Sequence, residues 1–480
     1  MSFLSDARIV TRALDRFYRQ SVNRRGRVIS QAPIEDLVAR LDLKDFTRHG
    51  GLRGRKLSRF LDRYLESCTR LHHPAYMAHQ VAVPAYAGAL AALVDGFTNN
   101  AMAIYEMGPA AAAIEFFVLN WMIEKVGWIP APYPRESSTD AHAGGVLTHG
   151  GSLANLTAML AARTRLAPDS WEKGCPADLA VLAPAESHYS IARAAGLLGI
   201  GRDALYALEV DARGKVIPDR IPAAFARVDT DARRPMALVA NACSTAVGLY
   251  DPLAEIAQAC RARGVWLHVD GAHGASALLS EQHRGLLRGV EAADSLAWDA
   301  HKLMRTPTLC AAVLVRDSRT LDGAFQQEAS YLFHDKEQPG VDFIHRTVEC
   351  TKAALGLRFF AVLASLGETG LARYVERQFA LTRDAYGYIV SLPDFECPVQ
   401  PEANILCFRI RGDDALQIAV RDALIAEGSF YLSTAELNGR RCLRASFMNP
   451  DTSLQDVRRL TERAREIARA RAGAPRYSAD

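Results

Sequence analysis

The chain has 480 residues, enough for roughly two or three structural units and a large apolar core. Its composition, 49% hydrophobic and 23% charged, is that of a globular protein and argues against a fibrous or disordered one. A formal net charge of +3 is too small to predict a protein that binds nucleic acid.

No run of apolar residues approaches the length of about 20 that a membrane-spanning helix requires. Asp6 and Arg8 stand where a signal peptide needs its apolar stretch, so we expect a cytoplasmic protein. The nine cysteines are scattered and include no C-x-x-C pair. They favour reduced core residues over disulfides or metal ligands, and we predict no metal site.

Residues 1–85 are predicted to form a helical N-terminal segment, because apolar residues recur at helical spacing. Packing on a partner subunit is a natural role for this segment, and packing within the chain is the alternative. Its many arginines are interleaved with apolar residues, which favours an exposed helix face over a basic arm. Further on, Pro109 is well placed to begin a helix over residues 110–125.

Residues 144–163 have the pattern of a strand, a glycine turn and a helix. Gly151 lets the backbone approach a ligand closely, and Ser152 lies at the start of the helix. Amide donors, a hydroxyl and the helix dipole would converge there on a phosphate. The glycine spacing is not that of the common nucleotide-binding loops, so a plain strand-to-helix turn is the alternative.

The strand, loop and helix pattern recurs twice before residue 265. Its first recurrence places His188 at a helix start, where the ring could lie flat on a planar ligand or cap the helix. In the second recurrence, a strand over 236–242 is followed by Ser244 and Thr245. Alternating strands and helices predict a mostly parallel sheet, whose ligands bind at the carboxyl ends of the strands.

Two further apolar runs end in Asp270 and Lys302. A lysine amine can form a Schiff base with an aldehyde cofactor if it lies in a partly dry pocket where it can lose its proton. A buried carboxylate can keep the ring nitrogen of pyridoxal phosphate protonated. Any α/β protein has some such residues, but together with the polar strand ends they predict a pyridoxal phosphate enzyme.

The remainder of the chain is predicted to contain a flap, a joint and a small domain. The polar stretch 328–343 is a candidate active-site flap, and a helix over 349–366 is followed by a joint at Gly367 and Gly370. Arg444 could hold a carboxylate or be an exposed cross-strand partner. We expect a large cofactor-binding domain over 86–370 and a small α+β domain over 371–480.

Several motifs, in one order, resemble those of the group II pyridoxal phosphate-dependent amino-acid decarboxylases. They include H-P-A-Y-M-A-H-Q, Y-E-M-G-P, G-G-V-L-T-H-G-G-S-L-A-N-L, S-H-Y-S-I-A-R-A-A, H-V-D-G-A-H-G, D-S-L-A-W-D-A-H-K and R-C-L-R-A-S-F-M-N-P-D-T. Members act on glutamate, cysteine sulfinate, aromatic amino acids or diaminobutyrate. The resemblance covers most of the chain from His73 onward and implies an α/β fold of the type I aminotransferase kind.

The resemblance also implies a homodimer with active sites at its interface, and an α-decarboxylation that releases carbon dioxide and an amine. It implies that Lys302 carries the cofactor, that Asp270 pairs with the ring nitrogen and that Thr245 lies near the ring. His188 and Ala272 would pack on its two faces. The residues expected around the phosphate are Gly151, Ser152, Asp299 and His301, and those expected at the substrate are His79 and Arg444.

Two departures from the family leave the reaction open. Many members carry on the mobile loop a tyrosine that reprotonates Cα, and residues 334–343 contain none. His273 stands where an aromatic residue is usual. Either His273 or His188 donates the proton, or the products are those of an oxidative deamination to an aldehyde or of another pyridoxal phosphate-dependent lyase. Residues 328–333 and 349–352 favour a polar or acidic substrate side chain.

Overall fold

The computed structural model describes residues 2–134, 141–325 and 340–472. The chain divides into two compact units, of which the first combines Met1–His79 with Ala380–Asp480 and the second is Gln80–Phe379. The domain boundaries predicted from the sequence, at about residues 85 and 370, stay a prediction. The helices are α1 Phe3–Val22, α2 Ile34–Arg40, α3 Leu43–His49, α4 Gly54–Ser67, α5 Tyr86–Thr98, α6 Pro109–Val126, α7 Gly151–Leu166, α8 Ser170–Lys173, α9 Ser190–Leu197, α10 Ile221–Thr230, α11 Leu253–Arg263, α12 Ser318–Asp322, α13 Leu355–Val390, α14 Asp414–Glu427 and α15 Leu454–Ala472.

The second unit is built on a seven-stranded sheet in the order β1-β7-β6-β5-β4-β2-β3. Its strands are β1 Gly144–Thr148, β2 Leu179–Pro184, β3 Leu205–Leu208, β4 Arg234–Asn241, β5 Trp266–Asp270, β6 Ser295–Asp299 and β7 Ala311–Val315. Neighbours from β3 to β6 are parallel, while β7 runs antiparallel to both β6 and β1. The predicted α/β fold with a mixed, mostly parallel sheet is therefore confirmed.

The strands that carry the predicted site are buried along their whole length, as expected for a sheet covered on both faces. The register of the strand pairs shows where each strand ends relative to its neighbours. Asp270 lies opposite Asn241 of β4 on one side and Ala297 of β6 on the other. Strand β6 then continues to Asp299, so that the two carboxylates end adjacent strands at slightly different heights.

The first unit contains a four-stranded antiparallel sheet in the order β10-β11-β9-β8. Its strands are β8 Phe395–Glu396, β9 Ile405–Ile410, β10 Ser433–Leu437 and β11 Arg440–Ser446. Val28 and Met77, from the N-terminal segment, are fully buried in one cluster with residues of these strands. Each large apolar side chain buried in this way contributes about 1.5–3 kcal/mol. Part of the N-terminal segment is thus core of this unit.

Helix α13 differs from the helix predicted over 349–366. It begins at Leu355, and its regular geometry is interrupted at Gly367, which has φ 65° and ψ 169°. The predicted joint is present at Gly367 and not at Gly370. Among the described residues α13 is the one helix whose length and apolar composition would suffice to cross a membrane. A core helix of a soluble protein passes the same test, so this is weak support for a membrane span.

Candidate active site

The carboxyl ends of β1, β2, β4, β5 and β6 meet at one edge of the sheet, because these strands run in the same direction. A cavity of about 230 Å³ lies at this edge, within the second unit. Ten residues that the sequence singled out line it, namely Gly151, Ser152, His188, Thr245, Asp270, Ala272, His273, Asp299, His301 and Lys302. The structure thus brings together residues whose separation in sequence reaches about half the length of the second unit.

Lys302 lies three residues after the end of β6, and its side chain lines the cavity. Its Nζ lies 3.3 Å from Oδ2 of Asp299, and about a fifth of the side chain is exposed. His301 Nε2 lies 3.6 Å from the same oxygen, while its Nδ1 lies 2.8 Å from the carbonyl of Cys310. Lys302 offsets the charge of a carboxylate that is itself almost wholly buried.

The glycine turn between β1 and α7 lets the start of the helix lie against Asp299. A Cβ at Gly151 would stand 2.8 Å from both carboxylate oxygens of Asp299, so only glycine fits there. No side chain caps the N-terminus of α7. Oδ1 of Asp299 is buried and accepts no hydrogen bond from the described residues. A buried acceptor at a helix N-terminus indicates a place for a polar ligand or water.

Asp270 ends β5 and is held by two donors of its own chain. The backbone N–H of Ala272 donates to Oδ1 at 3.2 Å, and the side-chain amide of Asn155 donates to Oδ2 at 2.9 Å. The carboxyl group is buried, with 7% relative exposure of the residue. These bonds fix its orientation towards the cavity.

His188 lies between β2 and α9 and is half-buried. Burial lowers the pKa of its imidazole, and the nearby carboxylate of Asp270 opposes that shift. Its Nδ1 lies 2.8 Å from the hydroxyl of Ser190. The ring therefore stands neutral beside the cavity at ordinary pH.

His273 follows Ala272 in the turn after β5 and is buried, with 3% relative exposure. The turn packs tightly against the segment after β4, because a Cβ at Gly274 would lie 2.6 Å from the backbone nitrogen of Cys243 and 2.7 Å from the hydroxyl of Tyr250. Gly274 is thus what allows His273 to face the cavity at this point.

His79 and Arg444 belong to the first unit, and their contact with a substrate stays a prediction. His79 Nε2 lies 3.0 Å from the hydroxyl of Tyr431, and burial, with a smaller effect of Arg444, lowers the pKa of this imidazole. The guanidinium of Arg444 donates to the carbonyl of Ala78 at 3.3 Å and to the hydroxyl of Ser433 at 3.2 Å. Of the candidate flap 328–343, residues 328–339 lie outside the described part of the chain.

Several cavity residues were given no role from the sequence, among them His149, Asn155 and Cys243. His149 lies 2.5 Å from a carboxylate oxygen of Glu349. Burial alone would raise the pKa of Glu349, but the contact with the imidazole outweighs it and the pKa is lowered. Asn155 lies one helical turn after Gly151, and that spacing could have placed it on the cavity side of α7. Nothing in the sequence marks Cys243.

These features define a class of protein. A lysine amine, a buried carboxylate at a strand end, an imidazole and a bare helix N-terminus around one cavity fit pyridoxal phosphate. The ring of this cofactor needs a carboxylate, its phosphate needs amide donors and its aldehyde needs an amine.

Comparison with known proteins places the chain more closely. The family model described as "Pyridoxal-dependent decarboxylase conserved domain" matches residues 61–411. The chain is 30% identical to the acidic amino acid decarboxylase GADL1 of Mus musculus over 452 residues, which cover 90% of this chain and 80% of that protein. It is 32% identical to the cysteine sulfinic acid decarboxylase of Rattus norvegicus over 401 residues, which cover 82% of this chain and 78% of that protein.

Among solved structures, that of mouse CSAD superposes with a TM-score of 0.86 and 24% identity, covering 98% of this chain and 99% of that one. The likeness in structure shows the shared fold. The chain belongs to the pyridoxal-dependent decarboxylase family. It is a pyridoxal phosphate-dependent amino-acid decarboxylase, as the sequence predicted.

Proposed function

We propose that this protein decarboxylates an amino acid with an acidic side chain, and that the cavity at the edge of the seven-stranded sheet is its active site. The observation that carries the assignment of the cavity is the convergence of Lys302, Asp270, His188 and the N-terminus of α7 on one space. The proposal further assigns to this chain a homodimeric assembly and a place in the cytoplasm.

In this proposal each residue has a distinct task. Lys302 would hold the aldehyde of the cofactor. Asp270 would keep the ring nitrogen protonated, since its carboxylate is buried and oriented by two N–H donors. His188 and Ala272 would pack on the two faces of the ring. When bound, the cofactor supplies an electron sink for the bonding electrons released as carbon dioxide leaves.

The phosphate would be held at the start of α7. The amides of the first turn and the hydroxyl of Ser152 donate there, and the helix dipole favours an anion. His301 stands near the same place, and Lys302 offsets the charge of Asp299, which would otherwise repel a phosphate. Thr245 lines the cavity on the side of β4.

A proton must return to Cα after carbon dioxide has left, and two imidazoles line the cavity for this task. His188 is held with Nδ1 as an acceptor of the Ser190 hydroxyl, which leaves the proton on Nε2. His273 stands in the turn after β5. We assign the proton transfer to one of these two residues. If this step fails, molecular oxygen would take up the two electrons, and with water the products would be an aldehyde, ammonia and hydrogen peroxide, the second candidate outcome.

The substrate class rests on the relatives. The two curated relatives compared above carry names that give acidic amino acids and cysteine sulfinic acid as their substrates, at 30% and 32% identity. We assign to Arg444 the grip on a substrate carboxylate, because a guanidinium binds a carboxylate through two parallel hydrogen bonds. His79 would contact the substrate as well.

A homodimer is supported by an exposed apolar face on α5. Tyr86, Leu90, Leu93, Val94 and Phe97 recur at helical spacing and are between 49% and 77% exposed in the single chain. Such a contiguous apolar stripe marks an interaction surface. All nine cysteines are free thiols, which supports a reducing compartment such as the cytoplasm.

The test is a product analysis with a panel of amino acids. The holoenzyme is incubated with aspartate, glutamate, cysteine sulfinate, diaminobutyrate and aromatic amino acids, and carbon dioxide, amine, aldehyde and hydrogen peroxide are measured. We expect an amine and carbon dioxide, with the highest kcat/KM for an acidic amino acid. Lys302→Ala should lose the visible absorbance of the bound cofactor and lower kcat on the order of a thousandfold or more.

Lys302→Arg is the matched control, since it keeps a positive charge beside Asp299 but cannot form the covalent link. The assignment of Lys302 is wrong if either variant keeps the absorbance of the wild type. Aldehyde with ammonia and peroxide would contradict the proposed decarboxylation to an amine, and the highest kcat/KM for an aromatic amino acid would contradict the proposed substrate class.

A further inference from the structure

A continuous chain of buried polar side chains runs from behind the cavity to Asn155 in its wall, and the proposed function uses only the bond from Asn155 to Asp270. It runs from Trp266 on β5 to Ser295 on β6, back to His268 on β5 and on to Asn155 on α7. None of these residues is more than 3% exposed. A polar chain this deep in an apolar sheet is costly unless every group in it is satisfied.

The direction of this chain is fixed at its cavity end. A carboxylate oxygen can only accept, so the amide nitrogen of Asn155 faces Asp270 and its Oδ1 faces Nε2 of His268. Nε2 of His268 therefore carries the proton, and Nδ1 of the neutral ring accepts from the hydroxyl of Ser295 at 2.8 Å. The oxygen of that hydroxyl also accepts from the indole N–H of Trp266, at 2.8 Å.

The same direction passes through the amide of Asn155. Nε2–H of His268 donates to Oδ1 of Asn155 at 3.0 Å. The amide nitrogen is turned towards the cavity, where it donates to Oδ2 of Asp270 and to the hydroxyl of Ser190, each at 2.9 Å. Both of its hydrogens are used.

The last step reaches His188. Since the hydroxyl oxygen of Ser190 accepts from Asn155, its hydrogen points to Nδ1 of His188 at 2.8 Å. The backbone N–H of Ser190 also donates to this nitrogen, at 3.3 Å. One amide therefore joins the two residues assigned to the cofactor, the carboxylate and the stacking imidazole.

The charges around the chain agree with this direction. Burial lowers the pKa of His268 to about 4, with Asp270 opposing the shift, so the ring is neutral as the hydrogen bonds require. The charged groups that face His188 are Asp270, Asp299, Lys302 and Arg193.

We propose that Asn155, oriented by His268, is a positioning residue that orients the carboxylate of Asp270 and fixes the proton of His188 on Nε2. The proposal deepens the proposed function, because it rests on the assignment of Asp270 and His188 to the cofactor. It adds Asn155 and His268 to the residues on which the reaction depends, although His268 does not line the cavity.

The test measures cofactor binding as well as turnover. Asn155→Asp keeps the shape of the side chain and the acceptor for His268 but removes both donors and adds a second negative charge beside Asp270. We expect the dissociation constant of pyridoxal phosphate to rise by about ten- to a hundredfold, as for loss of a hydrogen bond to a charged group. On acidification, release of the cofactor should begin at a higher pH, and kcat should fall with little change in KM.

A second pair of variants keeps the test independent of the folding of Asn155→Asp. His268→Gln retains an N–H that can reach Asn155, and His268→Leu does not. The dissociation constant should rise in His268→Leu and return towards the wild-type value in His268→Gln. Thr157→Val is the control on the same helix, because it removes the buried bond from the hydroxyl of Thr157 to the carbonyl of Leu153 and should leave cofactor binding unchanged.

Wild-type cofactor affinity and release pH in both Asn155→Asp and His268→Leu would overturn the proposal. A merely structural role would lower the midpoint of thermal unfolding in these variants and in Thr157→Val alike, with no change in release pH, and this too would overturn it. If Asp270→Asn also binds the cofactor normally, the assignment of Asp270 fails. If Asp270→Asn binds weakly while Asn155→Asp does not, the assignment stands and the positioning role alone is wrong.

Discussion

Two histidines, His188 in the cavity wall and His268 behind it, are kept neutral by burial and by hydrogen bonds from serine hydroxyls. At the end of β6, by contrast, Lys302 and Asp299 form an ion pair. The cavity thus joins a charged side at β6 to an uncharged one at α9. This contrast suits a ligand with a negative phosphate at one end and a flat ring at the other.

Stability should depend on pH through His268. The pKa of a histidine in an unfolded chain is about 6.5, whereas that of buried His268 is lowered to about 4. Between these values the unfolded chain binds more protons, so the stability is present above pH 6.5 and is lost as the pH falls towards 4. The loss from this residue alone amounts to about 3 kcal/mol at most.

This contribution is measured by urea unfolding of the wild type and of His268→Gln over the same pH range. Other buried histidines, such as His73, have lowered pKa values too and act in the same direction in both proteins. The difference between the two pH profiles therefore isolates His268. Equal slopes in the two proteins would show that His268 is not neutral in the folded state.

The sequence predicted most of the cavity residues because each stands at the end of an apolar run, and the ends of parallel strands meet. It did not predict Asn155 or His268, since their roles depend on contacts between α7, β5 and β6. In the sequence, nothing distinguishes His268 from the other residues of a buried strand. Only the register that sets it opposite Ser295 reveals the hydrogen bond to that hydroxyl.

Among the helices, α13 shows how far local pattern determines structure. Helix α6 was predicted over 110–125 and is found at Pro109–Val126, because a proline start and a glycine end are strong local signals. The predicted start of α13 at residue 349 was wrong. There, Lys352 forms a wholly buried ion pair with Glu115 and donates to the carbonyl of Leu147, and this tertiary contact outweighs helical propensity.

Replacing glycine by alanine should have opposite effects on stability at the interruption of α13 and in the regular part of this helix. Gly367 has φ 65° and ψ 169°, a region essentially restricted to glycine, and a Cβ there would meet no atom within 4 Å. Gly367→Ala should therefore destabilise the protein by about 1–3 kcal/mol through backbone strain alone. The free energy of unfolding from denaturant titration measures this.

Gly387→Ala is the matched control in the same helix. Gly387 is exposed and helical, and a Cβ there also meets no atom within 4 Å. Alanine should stabilise this position by about 0.5–1 kcal/mol, because glycine loses more backbone entropy in a helix. A loss of stability of the same size in both variants would show that Gly367 is not a required break.

At the scale of the whole molecule, the first unit is discontinuous in sequence. Met1–His79 and Ala380–Asp480 share one core, in which the backbone of Val28 bonds to Gly428 and that of Met77 to Tyr431. Contacts between the ends of a chain are not visible in local pattern, and this is why the sequence indicated an N-terminal segment separate from a C-terminal domain.

The exposed face of α5 leads to a prediction about assembly. Leu90→Glu places a charge in the middle of the apolar stripe and should raise the dissociation constant of the proposed dimer by about thirtyfold or more. Val390→Glu, at an exposed apolar residue outside α5, should leave it unchanged. Light scattering over a concentration series measures the oligomeric state, and an unchanged dimer in Leu90→Glu would contradict the assignment of this face.

The division into two units has an optical consequence. All five tryptophans, from Trp121 to Trp298, belong to the second unit, and Trp298 is next to Asp299 of the cavity wall. Intrinsic tryptophan emission therefore reports on the unit that contains the cavity and is silent for the other, while circular dichroism reports on the helices of both. Following one unfolding reaction with the two signals distinguishes a molecule whose units melt together from one whose units melt in turn.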